Sequence, residues 1–359
     1  MNDLNFPYIK YPHGKTHKEW GILHGEQFAG PIKDLCHIRK DLMLKKNPAL
    51  EPDLDRLAKA QFEVSREFSP NLCAELQGIS IGAKVSMTDI IILNNYTDFR
   101  DIQLPEEGCS SAHLQRNGKI SAGQTWDMHQ TAKNFVCVLH LFENGQDNLL
   151  FSLVGCLGLM GISSNNCLVG VNNINTKNAK AGLIWPILVR AMLNEKNLSD
   201  MRSVLQKAPV TSGHNYLLSS KEGAEHWETS PRYSEKVSEL SAGEDGFIFH
   251  TNHCLGPQNS SLEIKESISS TTFNRFNILE EKKDSIMDLN KIFKDHEGYP
   301  KSICSHFESG AQDPSMTCGG AVADYSENKY TLWRGCPEHD KNFMEYEFIL
   351  EKTHFKKVK

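Results

Sequence analysis

The sequence predicts an α+β protein built as a sandwich, and three observations lead there. The first hundred residues read as helices. The texture changes after Gly118 to short β-rich segments divided by turn residues. The overall order is helices, strands, helices, strands, without the regular alternation that a doubly wound parallel sheet requires. At 359 residues, 39% hydrophobic and 23% charged, the chain can fill one large domain or two ordinary ones.

Each element follows in order. "KEWGILHGEQFAGPIKDL" carries Trp20, Ile22, Leu23 and Phe28 at mixed helical spacing, with Pro31 as a break and new first turn. "EPDLDRLAKAQFEVSREF" sets Leu54, Leu57, Ala58, Phe62 and Val64 near one face and stops at Ser69-Pro70. "SMTDIIILNNYTDF" opens with Ser86 or Thr88 as a cap and Asp89 at the positive helix end. Strands are expected in "GKISAGQTWDMH", "NFVCVLHLF", "NLLFSLVG" and "NCLVGVNNI", with Asn144-Gly145 as a turn, so an antiparallel sheet begins near Lys119. Two helices follow, "GLIWPILVRAMLNE" and "SDMRSVLQKA" capped by Ser199. Strands return in "HNYLLSS", "GAEHWETS" and "GFIFHTNH". A helical stretch covers Thr272 to Asp295, and the chain closes with a hairpin in "MTCGGAVADYSENKYTLWRG" and a last strand in "FMEYEFIL".

The net charge of -6 argues against nucleic acid or an acidic membrane surface as partner. The opening "MNDLNFPYIKYPHGK" lacks the apolar core of a secretory signal. The longest apolar stretch, Leu149 to Ile162, contains Ser152 and three glycines, is too short to span a bilayer, and reads as core. Ten cysteines without a CxxC pair read as free thiols in a reducing compartment, so a cytoplasmic location without membrane attachment is expected.

One cysteine stands apart. Cys109 follows Pro105, Glu106, Glu107 and Gly108 and precedes Ser110 and Ser111, so turn-formers and small polar groups surround it and the thiol reads as placed for access. Gly108 leaves its carbonyl open, the two serines offer hydroxyls near the thiol, and a strand just beyond can hold a nucleophile rigidly. A thiol nucleophile needs a base. His113 and His129 are near in sequence, with no sign that either approaches. The alternative is a base made by the chain itself: cutting Gly108-Cys109 would give Cys109 a free α-amino group with a pKa of about 8.

"EGCSSAHLQRNGKISAGQTWDMH" resembles the precursor cleavage site of the acyl-coenzyme A:6-aminopenicillanic acid acyltransferase (isopenicillin N acyltransferase-like) family of cysteine N-terminal nucleophile hydrolases. This family is more distantly similar to the choloylglycine hydrolases and acid ceramidase. The likeness continues in order through "GKTHKEWGILHGEQF", "HNYLLSSKEGAEHWETSP", "FHTNHCL", "STTFNRFNILEE", "FKDHEGYPKSICSH" and "MTCGGAVADYSENKYTLWRGCP". It implies a four-layer αββα sandwich of antiparallel sheets, formed jointly by a helical pro-segment, residues 1–108, and a catalytic chain, residues 109–359. It implies that Cys109 attacks the Gly108 carbonyl, passes through a thioester, and in the mature protein attacks an acyl amide or acyl thioester without a cofactor. Asp127 matches an aspartate that assists the precursor step and orders the nucleophile; the competing reading is a strand-end carboxylate closing a turn. Asn252 matches an oxyanion-hole donor, against a satisfied β-bulge amide. Arg275 matches an arginine near the nucleophile, against a surface helix arginine. Asn274 stands where the penicillin-forming enzyme is expected to carry serine, which speaks against a β-lactam nucleus as acceptor.

Other groupings read as structural. Alternation along a strand would send His250 and Asn252 to one face and His253 to the other, so with Cys254 they make no metal site. His296, Cys304 and His306 read as a structural turn, and no metal is expected. "GCLGLMG" lacks the lysine of a phosphate loop. Leu157, Leu159, Met160 and Ile162 are candidates for an acyl pocket or simply core; Leu157 and Met160, with His129, are the expected substrate contacts. Three functions stay open at this point: a self-processing amidohydrolase or acyltransferase acting on an acylated amine, a small-peptide or N-acyl amino acid hydrolase, and an inactive scaffold of the same fold that binds a ligand or partner without chemistry.

Overall fold

The computed structural model describes residues 4–101, 108–268, 270–306 and 315–359. Pro105, Glu106 and Glu107, whose turn character entered the reading of Cys109, lie outside the described residues.

The chain begins with a strand the sequence did not announce, β1 (Tyr8–Lys10), which runs parallel to a strand far downstream. Six helices follow: α1 (His17–Gln27), α2 (Ala29–Lys46), α3 (Leu54–Phe68), α4 (Pro70–Ala83), α5 (Met87–Asn94) and α6 (Tyr96–Asp101). Thr16 caps α1 in a reciprocal box with Glu19, and the Ser86 hydroxyl caps α5 through the Asp89 N–H, as its sequence pattern indicates. α1 buries Trp20, Gly21, His24 and Gly25; of the apolar residues named from sequence Trp20 and Phe28 are buried, while Leu23 is 43% exposed. The glycines are buried by close backbone packing. A side-chain carbon added at Gly21 would lie 2.1 Å from the Glu75 carbonyl oxygen, and one at Gly78 2.2 Å from that of Lys18. Gly21 and Gly25 of α1 thus meet Gly78 and Gly82 of α4 backbone to backbone.

Strands β2 (Ser111–Arg116), β3 (Lys119–His129), β4 (Val136–Glu143), β5 (Gln146–Leu153), β6 (Met160–Ser163) and β7 (Leu168–Asn173) come next. The first of these starts at Ser111, ahead of the expected Lys119. Helices α7 (Trp185–Leu193) and α8 (Leu198–Lys207) then interrupt; Asn197, not Ser199, caps α8 by accepting from the Asp200 N–H. Strands β8 (His214–Ser220), β9 (Gly223–Thr229), β10 (Ser234–Ser241) and β11 (Gly246–His250) follow, and β10, largely exposed at a sheet edge, lacked an apolar signal. After the short α9 (Pro257–Ser260), the expected long helix divides into α10 (Ser270–Lys282) and α11 (Leu289–Ile292). The chain ends with β12 (Ser315–Asp324), β13 (Lys329–Arg334), β14 (Met344–Glu351) and β15 (His354–Lys357), one strand more than predicted.

Two sheets result. One has the order β1-β4-β5-β6-β7-β8-β9-β10, antiparallel except for the β1–β4 pair; the other is antiparallel, in the order β11-β2-β3-β12-β13-β14-β15. They face each other, with β2 and β3 against β7. The main core fills the sandwich and the space under α2, α4, α5 and α7, and a second cluster joins Leu114 and Trp333 to Leu279, Leu289 and Phe293 of the α10–α11 layer. This is the αββα layering, with one parallel pair in an otherwise antiparallel design. Among the described residues no single helix is long and apolar enough to cross a membrane; α4 and α5 together have the composition, but they are bent by 120° and buried.

Candidate active site

Backbone pairing sets the position of Cys109. Gly108 to Ser110 continue the line of β2 beside β3: the Asp127 N–H donates to the Gly108 carbonyl at 2.8 Å, and the Thr125 N–H to the Ser110 carbonyl at 2.9 Å. The Ser110 N–H donates to the Thr125 hydroxyl at 3.0 Å. Cys109 therefore sits just ahead of an interior strand, and in this continuous chain it is only 6% exposed rather than open to solvent.

Two residues from distant parts of the sequence complete the cluster. Asn252 lies just past the end of β11, where its backbone N–H donates to the Thr272 hydroxyl at 2.7 Å. Its Oδ1 accepts from the Cys109 N–H at 2.6 Å. Arg275, fully buried on α10, donates from Nη1 to the Cys109 carbonyl at 2.5 Å and to Ser110 Oγ at 3.0 Å, and from Nη2 to Asn252 Oδ1 at 2.8 Å. Its Nε stands 4.0 Å from Asp127 Oδ2. Asn274, beside it, is exposed. The structure thus brings Gly108, Cys109, Asp127, Asn252 and Arg275 together.

Asn252 is turned differently from the expectation. Its Nδ2 donates to the Asn173 carbonyl at 2.9 Å, so the oxygen, not the donor, meets Cys109. An arginine that only donates on one side and a carbonyl that only accepts on the other leave the amide one orientation. The donor aimed at the Gly108 carbonyl is instead the backbone N–H of Asp127.

Burial raises the Asp127 carboxyl above the ordinary aspartate range, with Arg275, the Thr317 hydroxyl and His306 pulling the other way. Burial likewise lowers Arg275, opposed by Asp127 and Cys109. Asp127 Oδ1 accepts from Thr317 Oγ1 at 2.7 Å, and Oδ2 has no hydrogen-bond partner among the described residues. Thr272, Thr317 and Asn173 were not singled out from sequence. Thr272 had a signal, since it precedes Arg275 by one helical turn; the other two are ordinary strand residues until the sheets form.

Neither nearby histidine presents itself as a base. His113 shares a hydrogen bond of 2.9 Å with Ser219, which also meets the Tyr325 hydroxyl, and burial pushes its pKa down to about 4. His129 Nδ1 bonds Thr131 at 2.7 Å and its ring packs on Tyr96. The serine hydroxyls expected beside the thiol are engaged, Ser110 with Arg275 and Ser111 with Asn172. Leu157 is fully buried, its backbone held by Asn94 and Arg190; Met160 lies on β6, 2% exposed. An acyl pocket reaching either would have to open by side-chain movement.

His250, His253 and Cys254 have separate partners: Glu228 for His250, Thr251 and Thr272 for His253, Glu263 for the Cys254 N–H. Strand alternation is not the cause, because β11 ends at His250. His296, Cys304 and His306 do converge, and Cys336 joins them.

Comparison with known proteins bears on this cluster. The model of the acyl-coenzyme A:6-aminopenicillanic acid acyl-transferase family matches residues 115–338, more than half of the chain. The chain belongs to this family. The family match begins beyond Cys109 and includes Asp127, Asn252 and Arg275. A curated relative, the acyl-coenzyme A:6-aminopenicillanic-acid-acyltransferase 40 kDa form of Emericella nidulans, is 23% identical over 337 residues, which is 92% of this chain and 93% of the relative. Among solved structures, a mutant of conjugated bile acid hydrolase from Clostridium perfringens is 12% identical with a TM-score of 0.38, covering 70% of this chain and 96% of that one. Penicillin V acylase from Agrobacterium tumefaciens is 10% identical with a TM-score of 0.37, covering 70% and 98%. Membership in the acyl-transferase family places the chain in the N-terminal nucleophile hydrolase superfamily.

Proposed function

We propose that this chain is a self-processing cysteine N-terminal nucleophile enzyme, an amidohydrolase or acyltransferase that acts on acylated amines through a Cys109 thioester. The observation that supports it most is the grip on the bond to be cut: the Gly108 carbonyl oxygen accepts from the Asp127 N–H, while the Cys109 N–H meets Asn252 Oδ1. In the first step the Cys109 thiol adds to the Gly108 carbonyl carbon. The oxygen takes up negative charge where the Asp127 N–H already points. Collapse breaks the C–N bond, the Cys109 nitrogen leaves as an amine with the proton that the thiol gave up, and Gly108 is left as a thioester. Water then releases residues 1–108 as a small chain with a carboxylate end and 109–359 as the catalytic chain, both in one domain.

In the mature protein the thiol attacks a small-molecule acyl amide or acyl thioester, and the new α-amino group, near pKa 8, takes its proton. Asn252 Oδ1, already bonded to that nitrogen, would orient the amine, and Arg275 would hold Asn252 and the Cys109 carbonyl. His129, Leu157 and Met160 would contact the acyl group. Water or an amine would accept it, and no cofactor, nucleic acid or membrane enters the scheme; free thiols fit a cytoplasmic protein.

Denaturing electrophoresis with N-terminal sequencing tests the first step, and turnover of acyl amides and acyl thioesters the second. Two chains, the larger starting at Cys109, are expected for wild type and one intact chain for Cys109→Ala. Cys109→Ser should cleave slowly, because a hydroxyl makes the same shift as a poorer nucleophile. An intact wild-type chain that turns substrate over would remove the α-amino base. An intact and inert one would remove the enzyme reading.

A further inference from the structure

We propose that His296, Cys304, His306 and Cys336 form a tetrahedral site for a single zinc-class divalent ion, which fixes the loop behind Asp127. The ligand atoms of these four residues all lie within 4.8 Å of one another. His296 Nε2 is 3.2 Å from Cys336 Sγ, and His306 Nε2 is 3.6 Å from Cys304 Sγ. Metal–sulfur bonds of about 2.3 Å and metal–nitrogen bonds of about 2.0 Å place tetrahedral ligands roughly 3.3–3.8 Å apart. Two thiols and two imidazoles are a closed zinc set. On binding, each thiol would give its proton to solvent, and the two thiolates would neutralise the ion.

The surroundings fit ligands better than a plain turn. The His339 N–H donates to Cys336 Sγ at 3.3 Å, a contact that favours a thiolate. His296 turns Nε2 toward the sulfurs, and its Nδ1 lies 3.4 Å from Glu338 Oε2 without a hydrogen bond to it. The two cysteines are buried and the two histidines half-buried, so an ion has both a dry centre and a way in.

The location gives the site a purpose. Ser305, between ligands Cys304 and His306, binds Thr317 twice: its N–H donates to Thr317 Oγ1 at 2.8 Å and its carbonyl accepts the Thr317 N–H at 2.8 Å. Thr317 Oγ1 in turn donates to Asp127 Oδ1. An ion that anchors this loop would hold Thr317, and through it the carboxylate beside Gly108.

Elemental analysis of the full-length protein, exchanged into metal-free buffer after zinc loading under reducing conditions, is expected to find one zinc per chain. Cobalt(II) in its place should give the intense visible bands of a tetrahedral ion and a near-ultraviolet thiolate charge-transfer band. Cys336→Ser and His296→Ala should lose the tightly held metal, while Cys73→Ser, remote from the cluster, keeps it. If the ligand variants do not fold, the cobalt spectrum of wild type decides alone. Sub-stoichiometric zinc in the wild type, an octahedral cobalt spectrum, or a Cys304–Cys336 disulfide in the peptide map of protein purified without reductant and unreactive to zinc would overturn the site.

Discussion

A side-chain carbon at position 108 would stand 2.4 Å from Asp127 Oδ2. The carboxylate occupies the space where any other residue would carry its side chain, and the same residue's N–H holds the Gly108 carbonyl at 2.8 Å. Glycine is thus required by its neighbour, not by backbone conformation. Gly108→Ala should displace Asp127 or the carbonyl, since Thr317 leaves the carboxylate little freedom. A misplacement of about 1 Å costs on the order of 100-fold in rate. We expect self-cleavage to slow by that order, with the melting temperature little changed. Cleavage of Gly108→Ala at the wild-type rate, followed on denaturing gels, would remove Asp127 from the first step.

Burial raises the Asp127 carboxyl, so its ionised form appears only at a higher pH than for an exposed aspartate. If the carboxylate assists cleavage, the rate falls as pH drops through that raised value, and the acid limb lies above the usual aspartate range. Asp127→Asn should lose the limb and run roughly 100-fold slower, the lower range for a lost general acid–base group. The check is the rate of chain appearance across pH. An unchanged limb in Asp127→Asn would assign it to another group.

Asn252 offers a sharper choice. Its oxygen faces Cys109 and its nitrogen faces Asn173. If it works by accepting from the Cys109 nitrogen, Asn252→Asp keeps that acceptor and should retain far more turnover than Asn252→Ala. If it works as an oxyanion donor, both variants should lose about 100-fold or more in kcat. We expect the first pattern in steady-state kinetics, with KM moving less than kcat.

Some of this was legible before the fold and some was not. Cys109 stood out by its neighbours and the family resemblance named Asp127 and Arg275, and the fold brings the three together. The orientation of Asn252 could not, since it depends on Arg275 and on a carbonyl in the opposite sheet. The α1–α4 contact left no signal for a related reason: apolar periodicity marks faces that bury side chains, whereas Gly21 and Gly78 bury backbone. β1 went unnoticed because three residues pairing in parallel with Val138 to His140, far along the chain, carry almost no local signal. The Cys336 partnership with His296 likewise exists only once β13 ends beside the loop before β12.

Gly21→Ala and Gly78→Ala should each destabilise the protein by about 1–3 kcal/mol, the usual cost of overpacking. Each added carbon would meet backbone, which cannot swing aside. Gly30→Ala, with nothing within 4 Å, should instead stabilise by roughly 0.5 kcal/mol through the unfolded chain. Urea titrations of the three variants check both signs. Equal effects at Gly21 and Gly30 would mean that the helices separate easily.

Cleavage should not release the small chain. β1 pairs with β4 across the cut, and Asn94 binds both the Gly155 carbonyl at 2.9 Å and the Leu157 N–H at 3.0 Å. The firmest tie is ionic: buried Arg190 donates to Glu75 at 3.2 Å and to Glu143 at 2.8 Å, and His17 lies 3.0 Å from Glu75 and 3.2 Å from Glu143. Burial alone would raise Glu75, but Arg190 and His17 outweigh it and its carboxyl is lowered. A lowered carboxyl contributes stability above its unfolded pKa and loses it as pH falls through the folded value, so the chains should part in acid. Arg190→Met would leave two buried carboxylates with only His17 beside them, a loss of roughly 3–5 kcal/mol. Adding Glu75→Gln should recover part of it. Gel filtration of the cleaved protein is expected to give one peak holding both chains at neutral pH. Free small chain in the wild type under those conditions would mean that residues 1–108 are a removable pro-segment rather than an integral helical layer of the sandwich.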